Sequence, residues 1–174
     1  MANRMKVPGQ RELRYTAYHE AGHAVAAWQE GIRFRSVSIV PKGDALGYVL
    51  HNRPPRWFQP DIASDRRTRD RCEAMARTLL AGPEAEARIR GRRNHVGASD
   101  DYAQAVDYVT RISGGPEMTQ AWMSLIKVQV TAMLGPQNWR AVEAMAEALL
   151  LHHRISGNDA RTIMNDAIPY VVAS

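Results

Sequence analysis

Two imidazoles and a carboxylate stand together near the start of the chain, in His19-Glu20-Ala21-Gly22-His23. On a helix, residues i and i+4 share a face one turn apart. His19 and His23 can therefore aim two ring nitrogens at one point ~2.0–2.1 Å from each, the distance at which imidazole binds zinc. Glu20, one residue along, flanks such an ion without ligating it, where it can take a proton from a metal-activated water and pass it to a leaving amine. The implied chemistry is metal-assisted amide hydrolysis with Glu20 as acid/base, given a third ligand. Ala21, Gly22 and Ala24 are small enough to leave room for an ion and a substrate. Gly22 costs about 1 kcal/mol relative to alanine in a helix interior, a penalty that the close approach of another segment would explain.

The third ligand must come from elsewhere. The extended pattern H-E-x-x-H-x-x-G-x-x-H is not continued, because Ala26 stands at the glycine position and Gln29 at the third histidine. Cys72 is the single cysteine, so a site of several thiolates within one chain is excluded, and a buried, inert thiol is expected there. Glu73, Glu84, Glu86 and the Asp100-Asp101 pair are the carboxylate candidates. The aspartates open a helix, where compensation of the helix dipole is reason enough for them, so spacing alone does not choose. His51 and His95 lie in or near loops and are candidates for stabilising an oxyanion. His152-His153, near a helix end, are read as partners of terminal carbonyls rather than as a second metal site.

The elements that must position these groups can be read from periodicity. Leu13, Ala17, Ala21, Ala24, Val25 and Trp28 recur at three- and four-residue steps, which predicts a helix over 10–30 stopped by Gly31. Residues 36–40 alternate as a half-buried strand does, 41–44 carry turn chemistry, and 46–50 supply the second arm of a hairpin. The proline-rich stretch 51–61, with Trp57 and Phe58, reads as a loop. Helices follow over 62–80 and 84–89, separated by Gly82-Pro83, and then over 100–112 with Ser99 as N-cap. Three more are expected around 117–133, 136–153 and 158–168, divided by glycine, proline and serine.

Composition bounds the rest. A chain of 174 residues, 45% apolar and 24% charged, is sized and balanced for one packed domain. No apolar run approaches the ~18–20 residues of a membrane span, and residues 1–10 lack a signal-peptide core, so the expected protein is soluble and cytoplasmic. The net charge of +5 rests on twenty arginines against three lysines, clustered at 66–71 and 88–93. Without an accompanying nucleic-acid-binding pattern, these clusters read as solvated helix faces, and nucleic acid is not an expected partner.

Several segments together resemble the peptidase domain of the FtsH-type ATP-dependent zinc metalloproteases. Residues 16–24 are similar to that family's active-site helix and 37–48 to the hairpin after it. Residues 79–86 resemble the following helix pair, and Gly97-Ala98-Ser99-Asp100-Asp101 resembles its Gly-Ala-x-Asn-Asp segment. The resemblance spans roughly 10–112, and 149–164 looks similar to the family's last helices. Pro83 departs from an expected arginine, and 112–139 bears little likeness.

The resemblance implies Asp101 as the third ligand of a Zn²⁺ ion, Asp100 at the family's asparagine position, and Glu86 as an acidic residue orienting a ligand histidine. It also implies a hairpin edge, Gly47, Tyr48 and Val49, that pairs with extended substrate. The expected fold is mainly α with a small β-hairpin or sheet, a zincin-like active-site helix and a helical C-terminal half. It forms one domain over 1–174, with the metal-site region at 10–112 and a helical extension at 113–174. No membrane anchor, ATPase or phosphate-binding loop is seen in this sequence. The expected activity is therefore that of a stand-alone zinc endopeptidase acting on unfolded or flexible polypeptide, with a separate ATPase or adaptor and further copies of the chain as candidate partners. A zinc-containing interaction module working through a partner is the alternative.

Overall fold

The computed structural model describes residues 9–62 and 65–168. Its elements in chain order are α1 (Gln10–Gln29), β1 (Phe34–Ser38), β2 (Tyr48–His51), α2 (Arg66–Arg90), α3 (Ser99–Ser113), α4 (Pro116–Met133), α5 (Pro136–His152), β3 (Arg154–Ser156) and α6 (Gly157–Ala167). The mainly helical fold with a small sheet is as the sequence predicts. Among the described residues no helix is long and apolar enough to cross a membrane.

α1 is the central element, packed against α2 on one side and α5 on another. Its buried face is built from small residues. Ala17, Ala21 and Ala24 are fully buried, and Gly22 lets α2 come close: a Cβ on Gly22 would stand 2.5 Å from the Ala81 carbonyl oxygen and 2.7 Å from the Ala85 Cβ. That approach accounts for a glycine in mid-helix. The core continues through Val25, Val37 and Ile39 into Val142, Met145 and Leu149 of α5.

The sheet is antiparallel in the order β2-β1-β3, with Val37 of β1 opposite Val49 on one side and Ile155 on the other. β2 is an edge strand. β3 is an element that the residue pattern does not suggest, being three residues long. It exists because His153, in the left-handed conformation (φ 60°), turns the chain at the end of α5 and offers its carbonyl to the Ile39 N–H at 2.9 Å.

Two local expectations are corrected. The break at Gly82-Pro83 does not occur; α2 runs unbroken through Pro83. A mid-helix proline costs about 3 kcal/mol, and the packing of α2 along α1 outweighs it. Ser99 is the first helical residue of α3 rather than its N-cap, and its hydroxyl donates back to the Val96 carbonyl at 2.9 Å. The helix ends otherwise follow the residues: Asp65 caps α2 by accepting from the Thr68 N–H, α2 and α3 stop at the left-handed Gly91 and Gly114, and α4 and α5 open on proline.

Candidate metal centre and cleft

Three elements bring the site together. α1 carries His19, Glu20 and His23, the middle of α2 carries Thr78, Gly82 and Glu86, and the first turn of α3 carries Asp101. The His19 and His23 Nε2 atoms are 3.0 Å apart, and the Asp101 Oδ2 lies 3.1 Å from the first and 3.5 Å from the second. The two rings stand nearly perpendicular, at 77°. Each ring is anchored from behind: His19 Nδ1 meets Glu86 Oε2 at 3.0 Å, and His23 Nδ1 donates to the Thr78 carbonyl at 2.8 Å. Anchoring Nδ1 in this way fixes the ring and points the other nitrogen at a ligand. Gly82 lies so close to the His23 ring that a side chain there would collide with it.

The donor triangle suits a tetrahedral ion, since donors ~2.0–2.1 Å from zinc stand about 3.3–3.4 Å apart. His19, His23 and Asp101 are also the one group of three metal-ligating side chains found together among the described residues.

The electrostatics point the same way. Burial disfavours a charged His19, but Asp101 and Glu86 together outweigh it and push the imidazole up to about 10. Burial would raise Asp101, yet the charges of and hydrogen bonds from the two histidines hold it well below the usual carboxylate range. Glu86 shows the same balance, with burial outweighed by His19, Asn94 and Arg90. Without a metal, a proton on His19 is what neutralises two flanking carboxylates. A divalent cation held by His19, His23 and Asp101 would take the place of that proton.

Glu20 is 5% exposed and makes none of the donor contacts. Burial raises its pKa, with the two histidines opposing. Gly47, just before β2, packs directly on it, and a Cβ at Gly47 would stand 2.7 Å from the Glu20 Cγ and Oε1. Gly47, Tyr48, Val49 and His51 line the same cleft as His19, Glu20, His23 and Asp101, a cavity of about 530 Å³. The exposed edge of β2 therefore runs past the carboxylate.

The sequence model of Peptidase family M41 matches residues 6–113, well over half of the chain and all of the donors. The chain belongs to that family. Among M41 relatives, the ATP-dependent zinc metalloprotease FtsH of Mycoplasmopsis pulmonis is 34% identical over 107 residues, 60% of this chain and 14% of the relative. FtsH of Methylibium petroleiphilum is 41% identical over 102 residues, 56% of this chain and 15% of its own length. The ATP-dependent zinc metalloprotease YME1L of Drosophila melanogaster is 25% identical over 202 residues, covering 93% of this chain and 26% of the relative. The chain thus spans between about a seventh and a quarter of these relatives. The resemblance drawn from the motifs is borne out, and the family match ends at the boundary of α3.

Other predicted candidates fall outside the triangle. Asp100 is exposed on the rim of the cleft and makes no ion pair among the described residues. Glu73 and Glu84 pair with Arg77 and Arg93. Trp57 stacks under Arg67 and Phe58 on Tyr108, so the proline-rich loop covers α2 and α3. Cys72 is buried, and its thiol is pushed up to about 11 by burial and then by Asp107 and Glu73, as fits an inert role. His95 lies in the exposed turn ahead of α3, away from the donors. The residue pattern did not reveal Thr78, Gly82 or Asn94. Thr78 contributes only a carbonyl, which no residue type announces, and Gly82 looks like a helix stop.

His51 is half-buried on the cleft wall with its Nδ1 unpartnered. Burial, then His23 and Arg71, lower it to about 4, so it is neutral near pH 7. A histidine with a depressed folded pKa makes the unfolded chain the better proton binder between about pH 6.5 and 4, so stability falls as pH falls through that window. Between pH 6.5 and 5 the loss attributable to His51 is about 1.6 kcal/mol. Denaturant unfolding of the parent and of His51→Leu at both pH values checks this, and the variant is expected to lose that part of the slope.

Proposed function

We propose that this chain is a zinc endopeptidase that hydrolyses peptide bonds in unfolded or flexible polypeptides. His19, His23 and Asp101 hold Zn²⁺, and Glu20 is the general acid/base. The observation that carries the reading is the convergence of two imidazole nitrogens and one carboxylate oxygen, all within 4.8 Å of one another, with both rings anchored through their other nitrogen. A bound zinc ion supplies Lewis acidity, polarising the scissile carbonyl and lowering the pKa of water.

The remaining work belongs to the protein. Glu20, buried beside the donors with a raised pKa, takes the proton of the attacking water on a carboxylate oxygen and returns it to the amine nitrogen as the C–N bond breaks. Glu86 and Asn94 keep the His19 ring in place. An extended substrate adds to the free edge of β2 at Gly47, Tyr48 and Val49, with backbone hydrogen bonds that are indifferent to its sequence. A cleft that accepts an extended strand requires an unfolded segment, and a separate ATPase or adaptor is the kind of partner that delivers one.

The test is zinc analysis combined with cleavage of an unstructured peptide. About one zinc per chain is expected, with cleavage that stops on chelation and returns when zinc is restored. Zinc without cleavage of any unstructured peptide would leave the interaction module. A chain that takes up no zinc would end the metal-site reading altogether.

A further inference from the structure

We infer that Asn94 is a positioning residue that ties the donor on α3 to the donors on α1, through hydrogen bonds to Glu86 on one side and to the turn leading into α3 on the other. The inference rests on the metal-site reading above and concerns how that site is held rather than what it does.

α2 ends at Gly91, and only seven residues separate that stop from the first residue of α3. Asp101 must be delivered to the metal point by this short turn, yet a turn so exposed has little core of its own to fix it. His95, Val96, Gly97 and Ser99 are all exposed. Asn94 supplies the missing anchor. Its Nδ2 donates to Glu86 Oε1 at 3.0 Å, and its Oδ1 accepts from the Gly97 N–H at 3.1 Å. Its carbonyl accepts from the Ala98 N–H at 3.0 Å.

Glu86 holds His19 Nδ1 with its other oxygen, and His19 Nε2 faces Asp101 Oδ2. The path therefore runs from Asn94 through Glu86, His19 and Asp101 into α3, and back along the chain to Gly97 and Asn94. Arg90 reinforces the same Glu86 oxygen, donating from Nε at 2.9 Å.

The chemistry of residue 94 is specific. The two jobs need one donor and one acceptor a single methylene from the backbone, which is what an asparagine amide offers. Aspartate would keep the Gly97 bond but set a second carboxylate against Glu86, and alanine would lose both contacts. Gly97 belongs to the same device, because a Cβ there would collide with the Asn94 amide nitrogen. The two residues are fitted to each other, and both line the cleft.

The experiment measures zinc affinity by competition with a chromophoric chelator, together with the unfolding midpoint of the metal-free protein, for the parent, Asn94→Ala and Asn94→Asp. Loss of an outer partner of a metal ligand costs ~10–100-fold in metal affinity. That loss is expected in both variants, with the metal-free midpoint little changed. The aspartate, despite retaining the turn bond, should be no better than the alanine.

A role confined to the turn predicts the reverse, a lowered midpoint with zinc affinity within twofold of the parent, and that result overturns the inference. If Asn94→Ala does not fold, Gly97→Ala, which displaces the amide without removing it, is judged by the same criterion. A parent that binds no zinc would instead sink the metal site itself, so the two failures can be told apart.

Discussion

Glu20→Gln is expected to leave about one zinc per chain in place while lowering kcat for cleavage of an unstructured peptide by about 10²–10⁴-fold. Glutamine has almost the same shape as glutamate, so it fills the buried space beside Gly47 without disturbing the strand that packs there. It is not among the three converging donors, so the metal loses no ligand. What disappears is a basic oxygen with a raised pKa, the group able to accept a proton and give it up again in the next step. Because that interaction is made only as the bond is broken, kcat and kcat/KM should fall together while KM changes little. Zinc content by elemental analysis and steady-state cleavage by fluorescence suffice to check it. A variant keeping more than a tenth of the parent's kcat would remove Glu20 from the reaction, and one that lost its zinc would make Glu20 a ligand instead.

The parts of this site differ in how far the residues alone reveal them. His19, Glu20 and His23 are legible because a helix converts their spacing into geometry: four residues make a turn and bring two rings to one face. The periodicity of α1 was strong enough to establish that helix. Asp101 is different in kind. It reaches the triangle from 82 residues away, by a tertiary contact that no local periodicity encodes, and the residue types left Glu73, Glu84, Glu86 and Asp100 as rivals. Only resemblance to known peptidases singled it out.

Gly82 departs from its local sequence pattern for a physical reason. Glycine before proline normally ends a helix, but here the missing Cβ makes room for the His23 ring, and tertiary packing overrides the local preference. The same cause, a glycine kept for close approach, is legible at Gly22 because the surrounding helical pattern is unambiguous. β3 could not be foreseen, since three residues after a left-handed histidine carry no alternation to detect.

These glycines show what the site demands of the fold. The donors on α1 are oriented by groups on α2, so the distance between the two helices sets the geometry of the proposed metal site as well as the packing. Gly22 sets that distance. Gly22→Val is therefore expected to destabilise the protein by about 3 kcal/mol and to weaken zinc binding with it. An alanine at this position would recover about 1 kcal/mol of helix propensity, whereas valine, being β-branched, recovers less and adds two methyl groups. Even the Cβ alone would fall 2.5 Å from the Ala81 carbonyl oxygen and 2.7 Å from the Ala85 Cβ, neither of which can rotate out of the way. Overpacking a tight core costs ~1–3 kcal/mol, occasionally more, and here two helix backbones must separate. That separation carries Thr78 and Glu86 away from His23 and His19, so both rings lose their anchors at once. Denaturant unfolding and chelator competition measure the two consequences independently. Loss of stability with unchanged zinc affinity would mean that the helices can move apart without disturbing the rings, and the coupling between packing and chemistry argued for this site would be lost.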